Sequence, residues 1–159
     1  MQTLIPIAQQ IAARLIARGE TVAVSESSSG GLISAALLAV PGASAYYRGG
    51  GVIYTPSAFK GLMQLKREDI EGMRSSTEPY ARFMAGMIRT KLRATWGLCE
   101  TGASGPSGNG YGDAAGHTCV ALIGETETSR TLETSLSDRE ENMRLFAKEA
   151  LDLLLENIA

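Results

Sequence analysis

Histidine is almost missing from this chain: His117 stands alone among 159 residues, beside two cysteines and one tryptophan. A His/Cys zinc site therefore has too few ligands, and Cys99 and Cys119 form neither C-x-x-C nor another metal-ligand spacing. No metal or cofactor is expected. Reduced thiols of this kind are the cytoplasmic norm. No apolar run approaches the roughly 20 residues that span a bilayer. The first 20 residues read as an amphipathic helix and not as an export signal, so a cytoplasmic protein without a membrane partner is expected. Basic runs are missing too: 15 Lys/Arg against 17 Asp/Glu leave a net charge of −2. A binder of phosphate backbones would show a basic face, which argues against nucleic acid as a partner. No repeat, linker or low-complexity tail interrupts the chain, and residues 1–159 read as one domain.

What is present is an alternation of helix and strand. Ile5, Ala8, Ile11, Ala12, Leu15 and Ile16 recur at helical spacing, and Gly19 stops the run as a left-handed cap. Val22 to Val24 is a short apolar strand, leading through Ser25-Glu26-Ser27-Ser28-Ser29-Gly30-Gly31 into an apolar helix over 32–40. A second strand is expected over 51–55, a short helix over 57–65, and a helix capped by Ser76 with Pro79 in its first turn. Residues 95–100 read as a third strand and 117–123 as a fourth. An alternating edge strand follows over 130–136. Ser137-x-x-Glu140 is a capping-box pattern before a last helix with a stripe from Met143 to Ile158. The expected fold is a three-layer α/β/α sandwich with a mixed sheet of about five strands, the last two antiparallel.

Two loops invite chemistry. Ligands of open α/β sheets gather beyond the carboxyl ends of strands. There the Ser25–Gly31 loop offers hydroxyls, amides and a helix N-terminus to an anion. An N-cap at Ser29 with tight packing at Gly30 and Gly31 would explain the same residues. The second loop, 101–110, follows another strand, is built of Gly, Ser, Pro and Asn, and can face the same crevice. Neither loop is a Walker A or a Gly-x-Ser-x-Gly elbow. His117 opens an apolar strand, the setting of a hydrogen-bonded structural histidine. A serine nucleophile would then need a lysine or carboxylate as base. Ser57-Ala58-Phe59-Lys60 formally matches Ser-x-x-Lys. Glu26 reads equally as a base beside Ser27 or as a strand-end residue accepting backbone bonds.

At these segments the sequence resembles the CinA C-terminal domain family, whose characterised members are nicotinamide-mononucleotide deamidases. Ser25-Glu26-Ser27-Ser28-Ser29-Gly30-Gly31 matches its Ala-Glu-Ser-Cys-Thr-Gly-Gly, and Val40-Pro41-Gly42-Ala43-Ser44 its Val-Pro-Gly-Ser-Ser. The stretch from Gly49-Gly50 to Tyr54-Thr55 looks like Gly-Gly-Val-Val-Ala-Tyr-Ser, Thr101-Gly102-Ala103-Ser104-Gly105-Pro106 like Thr-Gly-Ile-Ala-Gly-Pro, and Asp138-Arg139 like part of Gly-Asp-Arg.

The resemblance implies an amidohydrolase that converts nicotinamide mononucleotide to nicotinate mononucleotide and ammonia without a metal, in pyridine-nucleotide recycling. It makes Ser27 the nucleophile, Lys60 its base and Tyr54 an orienting group. Ser28, Ser29, Gly30, Gly31, Thr101, Gly102, Ser104, Gly105 and Arg139 become candidates for binding the phosphorylated substrate. The family lysine aligns with Phe59, so Lys60 is displaced by one residue, about 100° around a helix. Ser28-Ser29 replaces the usual Cys-Thr, and Arg144 lies one residue beyond the usual family arginine. Longer CinA proteins carry an N-terminal domain that has no counterpart in these residues. Two other readings follow: a module that keeps the pocket with altered or lost chemistry, and a scaffold without a small ligand. Under all three a homodimer or higher homo-oligomer is expected.

Overall fold

The computed structural model describes residues 1–159, with ten main elements in the order α1 (Ile5–Arg18), β1 (Val22–Glu26), α2 (Leu32–Leu38), β2 (Tyr47–Val52), α3 (Pro56–Met63), α4 (Glu78–Lys91), β3 (Trp96–Ala103), β4 (His117–Ile123), β5 (Glu127–Glu133) and α5 (Arg139–Asn157). The strands form one sheet in the order β2-β1-β3-β4-β5. β1 pairs in parallel with both β2 and β3, while β4 and β5 run antiparallel to their neighbours. This is the expected α/β/α fold with a mixed five-stranded sheet. No helix is long and apolar enough to cross a membrane.

Strand periodicity sorts the side chains into two cores. Val22, Val24, Trp96, Leu98, Val120 and Leu122 point to one face, where they pack with α1, α2 and α5. Ala23, Cys99, Cys119 and Ala121 point to the other, against α3 and α4. Both faces of the central strands are therefore covered, and β1 and β3 are buried nearly throughout. The two thiols are free and lie inside the second core. Burial first, then the neighbouring Glu100 carboxylate, pushes the Cys99 thiol well up.

The observed boundaries refine the sequence reading. Gly19 adopts the left-handed conformation that closes α1, with φ 66°. The second strand begins earlier than expected and includes Gly49 to Gly51. The third runs on to Ala103, so the first residues of the glycine-rich loop belong to the sheet. The fifth lies over Glu127–Glu133, three residues before its expected place.

Two caps shift by one residue. Thr77, not Ser76, caps α4 by accepting from the Tyr80 amide, and Pro79 sits in the first turn. Ser76 has φ 62° and is buried. Its amide donates to Thr101 Oγ1 at 3.1 Å. Asp138, not Ser137, caps α5 by accepting from the Glu141 amide at 2.8 Å. A carboxylate is the stronger acceptor for a helix's first amides, which explains the shift.

Helix α4 lies so close to the sheet that the contact admits no side chain at Gly97. A Cβ there would stand 1.9 Å from the Ala85 carbonyl oxygen and 2.7 Å from Arg89 Cβ. Relief would require moving α4 off β3. Gly97→Ala is expected to lower unfolding free energy by about 3 kcal/mol or more, as overpacking against rigid backbone does, measured by urea denaturation.

Candidate functional site

The strand order reverses at β1: the chain leaves it toward β2 and returns on its other side as β3. The crevice at such a switch point opens beyond the carboxyl ends of the parallel strands. Here β1 ends at Glu26 and β3 approaches its end at Glu100. The β1–β3 register, with Ser25 opposite Cys99, sets these two carboxylates side by side on the α2 face of the sheet. Both are buried, at 1% and 0% exposure.

Buried carboxylates need donors, and the serine turn supplies them. Glu26 Oε1 accepts from Ser29 Oγ at 2.7 Å and from the Gly31 and Ile33 amides at 3.1 and 3.0 Å. Its Oε2 accepts from the Ser34 amide at 2.9 Å. Glu100 Oε2 accepts from the Ser27 and Ser29 amides at 3.1 and 2.8 Å. Its Oε1 accepts from Ser28 Oγ at 2.5 Å and Thr118 Oγ1 at 3.0 Å. Of the two roles open to Glu26, the structure gives the strand-end acceptor. The anion at the start of α2 is the protein's own.

Beyond this turn lies a cleft of about 280 Å³, lined by Ser28, Tyr54, the strand end and loop from Gly102 to Gly105, Ser107 to Asn109, and Arg139. Arg139 opens α5 and is the one cation among the lining residues. Its guanidinium donates to the Gly105 carbonyl and, at 3.1 Å, to the Tyr54 hydroxyl. The far wall is fixed by Asn142, fully buried on α5, whose Nδ2 donates to the Ser104 and Leu136 carbonyls at 2.8 Å each. Asn109 accepts from the Tyr111 and Asp113 amides and donates to Asp113. Asp113 in turn pairs with Arg74 at 2.8 Å.

The structure thus brings Ser28, Tyr54, Gly102, Ser104, Gly105 and Arg139 to one cleft. Ser27 stands next to the lining Ser28, half-buried, with its amide on Glu100 and its hydroxyl without a protein partner. Ser29 is fully buried and engaged with Glu26. Gly30 and Gly31 form the left-handed turn into α2 and do not line the cleft. Thr101 is buried, and its hydroxyl accepts from the Ser76 amide instead of facing a ligand. Lys60 is exposed in the last turn of α3, makes no hydrogen bond or ion pair, and does not line the cleft. Phe59 takes the inward position, packed against Tyr80 with ring centroids 6.5 Å apart.

Sequence reasoning missed Glu100 and Asn142. A glutamate inside the apolar run 95–100, and an asparagine beside the α5 stripe, were the available signals.

His117 is a tether. Its Nε2 lies 2.8 Å from the Ser76 carbonyl oxygen, which can only accept, and its Nδ1 meets the Glu133 carboxylate. With Asp113 3.8 Å away, both ring nitrogens face acceptors. Burial lowers its pKa, but Glu133, the Ser76 carbonyl and Asp113 outweigh burial, and the net shift is upward.

Comparison with known proteins agrees with the fold and the ordered motifs. Residues 4–158 match the family model of the CinA C-terminal domain. A CinA-like protein of Gloeobacter violaceus is 38% identical over 155 residues, covering 96% of this chain and 36% of that protein. One from Anaeromyxobacter sp. strain K is also 38% identical, over 144 residues, covering 91% of this chain and 35% of its own length. The chain therefore spans about a third of the length of these curated relatives. The crystal structure of a CinA superfamily protein from Klebsiella pneumoniae superposes with a TM-score of 0.90 at 25% identity, covering 98% and 97% of the two chains. One from Enterobacter cloacae gives 0.89 at 25% identity, covering 98% and 92%.

Two outcomes are expected from this geometry. Glu26→Ala strands four donors in a buried turn and should cost about 4 kcal/mol in denaturant unfolding. Glu100→Gln should cost clearly less, because the Ser28 and Thr118 hydroxyls can turn to accept from the new amide. Second, a raised histidine pKa means that the folded state holds the proton more tightly than the unfolded chain. The stabilisation is complete below the ordinary histidine value near 6.5 and is lost as pH rises through the folded value. Thermal melting should therefore fall from pH 6.5 upward, and that slope should be absent in His117→Gln.

Proposed function

Because the chain belongs to the CinA C-terminal domain family, we propose that it is a nicotinamide-nucleotide amidohydrolase, converting nicotinamide mononucleotide to nicotinate mononucleotide and ammonia. The observation that carries this reading is the convergence of the serine turn, Tyr54, the 102–109 segment and Arg139 on one cleft at the switch point. A free serine hydroxyl stands beside it. The cleft suits a small ligand with an anionic end, and the loop amides suit a developing oxyanion.

Under this reading the Ser27 oxygen attacks the carboxamide carbon and the hydroxyl proton passes to a base. The carbonyl electrons move onto oxygen. Collapse of the tetrahedral intermediate breaks the C–N bond, and the nitrogen leaves as ammonia with the returned proton. Water then cleaves the Ser27 ester to the nicotinate product. Glu26 and Glu100 are not placed to serve as bases, since the oxygens of each are already occupied by donors of the serine turn, α2 and Thr118. The amine assigned as base is Lys60, which must move in from the exposed face of α3 when ligand binds.

One observation favours a second reading. Phe59 occupies the inward position on α3, and no amine lines the cleft. A domain that binds the nucleotide with altered or lost turnover would have this appearance. Ammonia release from nicotinamide mononucleotide, in the presence of a chelator, separates the two. Under the hydrolase reading, release survives the chelator and falls at least a hundredfold in Ser27→Ala, a loss typical of removing a nucleophile. Intact release in Ser27→Ala would remove that residue from the mechanism. Binding without release in the unaltered protein would establish the binding module.

A further inference from the structure

Two glycine-rich segments border the cleft, and either could receive the ligand's anionic end. We propose that the phosphoryl group sits on the second of them, held by the Ser104 hydroxyl and Arg139, and not on the serine turn at the start of α2. The proposal rests on the nucleotide reading only for the remainder of the ligand.

The first segment has committed most of its donors, leaving the Ser27 hydroxyl and the Ser28 amide. The amides of Ser27, Ser29, Gly31, Ile33 and Ser34 and the hydroxyls of Ser28 and Ser29 all donate to Glu26 or Glu100. A phosphate would have to displace a carboxyl group from these donors and leave it buried without them, which is costly in a low-dielectric interior.

The second segment has what the first lacks. Ser104 is 2% exposed, and its Oγ is the one buried side-chain N/O atom in the molecule without a hydrogen-bond partner. An unmatched buried hydroxyl weakens the fold, so the folded chain alone gives this oxygen no role. The amides of Ser104, Gly105, Ser107 and Gly108 donate to no protein group. Arg139 commits one N–H to the Gly105 carbonyl and one to Tyr54, leaving three of its five donors for a ligand. A tetrahedral anion offers acceptor oxygens to the hydroxyl, the guanidinium and the neighbouring amides.

The test uses inorganic phosphate as the first probe, followed by amide NMR in the unaltered protein, Ser104→Ala and Arg139→Gln. Nicotinamide mononucleotide and nicotinamide riboside are then compared by calorimetry. Phosphate should shift the amides of residues 104–108. Ser104→Ala should weaken phosphate and the mononucleotide about tenfold, the scale of a hydrogen bond to a charged group, and leave the riboside unchanged. Its ligand-free melting temperature should stay equal or rise, because no bond is lost.

The proposal is overturned if phosphate fails to bind, if its shifts centre on residues 27–31, or if Ser104→Ala binds phosphate normally. It is also overturned if that variant melts lower with affinity intact, since the hydroxyl would then be structural. Equal weakening toward both nucleotide forms overturns it as well. Ser104-dependent phosphate binding in a protein that ignores the mononucleotide would refute the nucleotide reading and leave the anion subsite standing.

Discussion

Two carboxylates buried next to each other set the terms for everything at the carboxyl end of the sheet. Glu26 and Glu100 occupy adjacent positions on neighbouring parallel strands, on the same face. Left alone, two buried carboxyl groups would lack hydrogen-bond partners, at a large desolvation cost. The chain instead surrounds them with donors from one short turn and the start of α2, plus Thr118 from β4. Sequence, turn and helix orientation are coupled through that arrangement. The turn must reverse tightly enough to aim consecutive amides inward, which is why Gly30 and Gly31 take positive φ. Ser28 and Ser29 send their hydroxyls to different carboxylates, so one stretch of three serines ties β1, β3 and α2 together.

This coupling explains which parts of the site could be read from the sequence. Helical and strand periodicity revealed the layers, because apolar burial repeats every 3.6 or 2 residues wherever it occurs. Gly19 and the sheet-end positions of both loops were likewise legible. The destination of the serine turn was not. Ser-Glu-Ser-Ser-Ser-Gly-Gly has the composition of an anion cradle, and it is one. The anions are supplied by the protein, one of them by a strand 73 residues away from Ser27. Local pattern cannot reveal a partner that only the β1–β3 register brings alongside. The same limit hid Asn142, whose partners at Ser104 and Leu136 belong to different segments.

The α3 helix shows a competition between packing and chemistry at single-residue resolution. Phe59 contributes to the core beneath the helix together with Ile53, Met63 and Leu65. A buried phenyl ring is worth roughly 1.5–3 kcal/mol over an exposed one. An inward lysine at that place would lose this term and add the desolvation of an ammonium. This position therefore holds an apolar core residue, and the neighbouring amine of Lys60 stays outside. Any motion that carries Lys60 inward must work against the burial of Phe59. Under the hydrolase reading, turnover would accordingly depend on how firmly α3 is anchored.

The loop that closes the cleft would be expected to be mobile from its composition, since glycine gains more chain freedom than other residues when released. Its surroundings oppose that freedom at three separate points. Asn142 grips the Ser104 carbonyl, Arg139 grips the Gly105 carbonyl, and the Asn109–Asp113–Arg74 group closes the far end into a small hydrogen-bonded ring. The side chain of Asp113 also approaches His117, which is fastened to Ser76 and Glu133. Donors held in place before a ligand arrives lose little entropy on binding it. Glycine here supplies close backbone approach, while side chains from α5 and the neighbouring loop restrict its motion. A rigid array of free amides can discriminate an anion by shape as well as by charge, whereas the serine turn has most of its donors committed to Glu26 and Glu100.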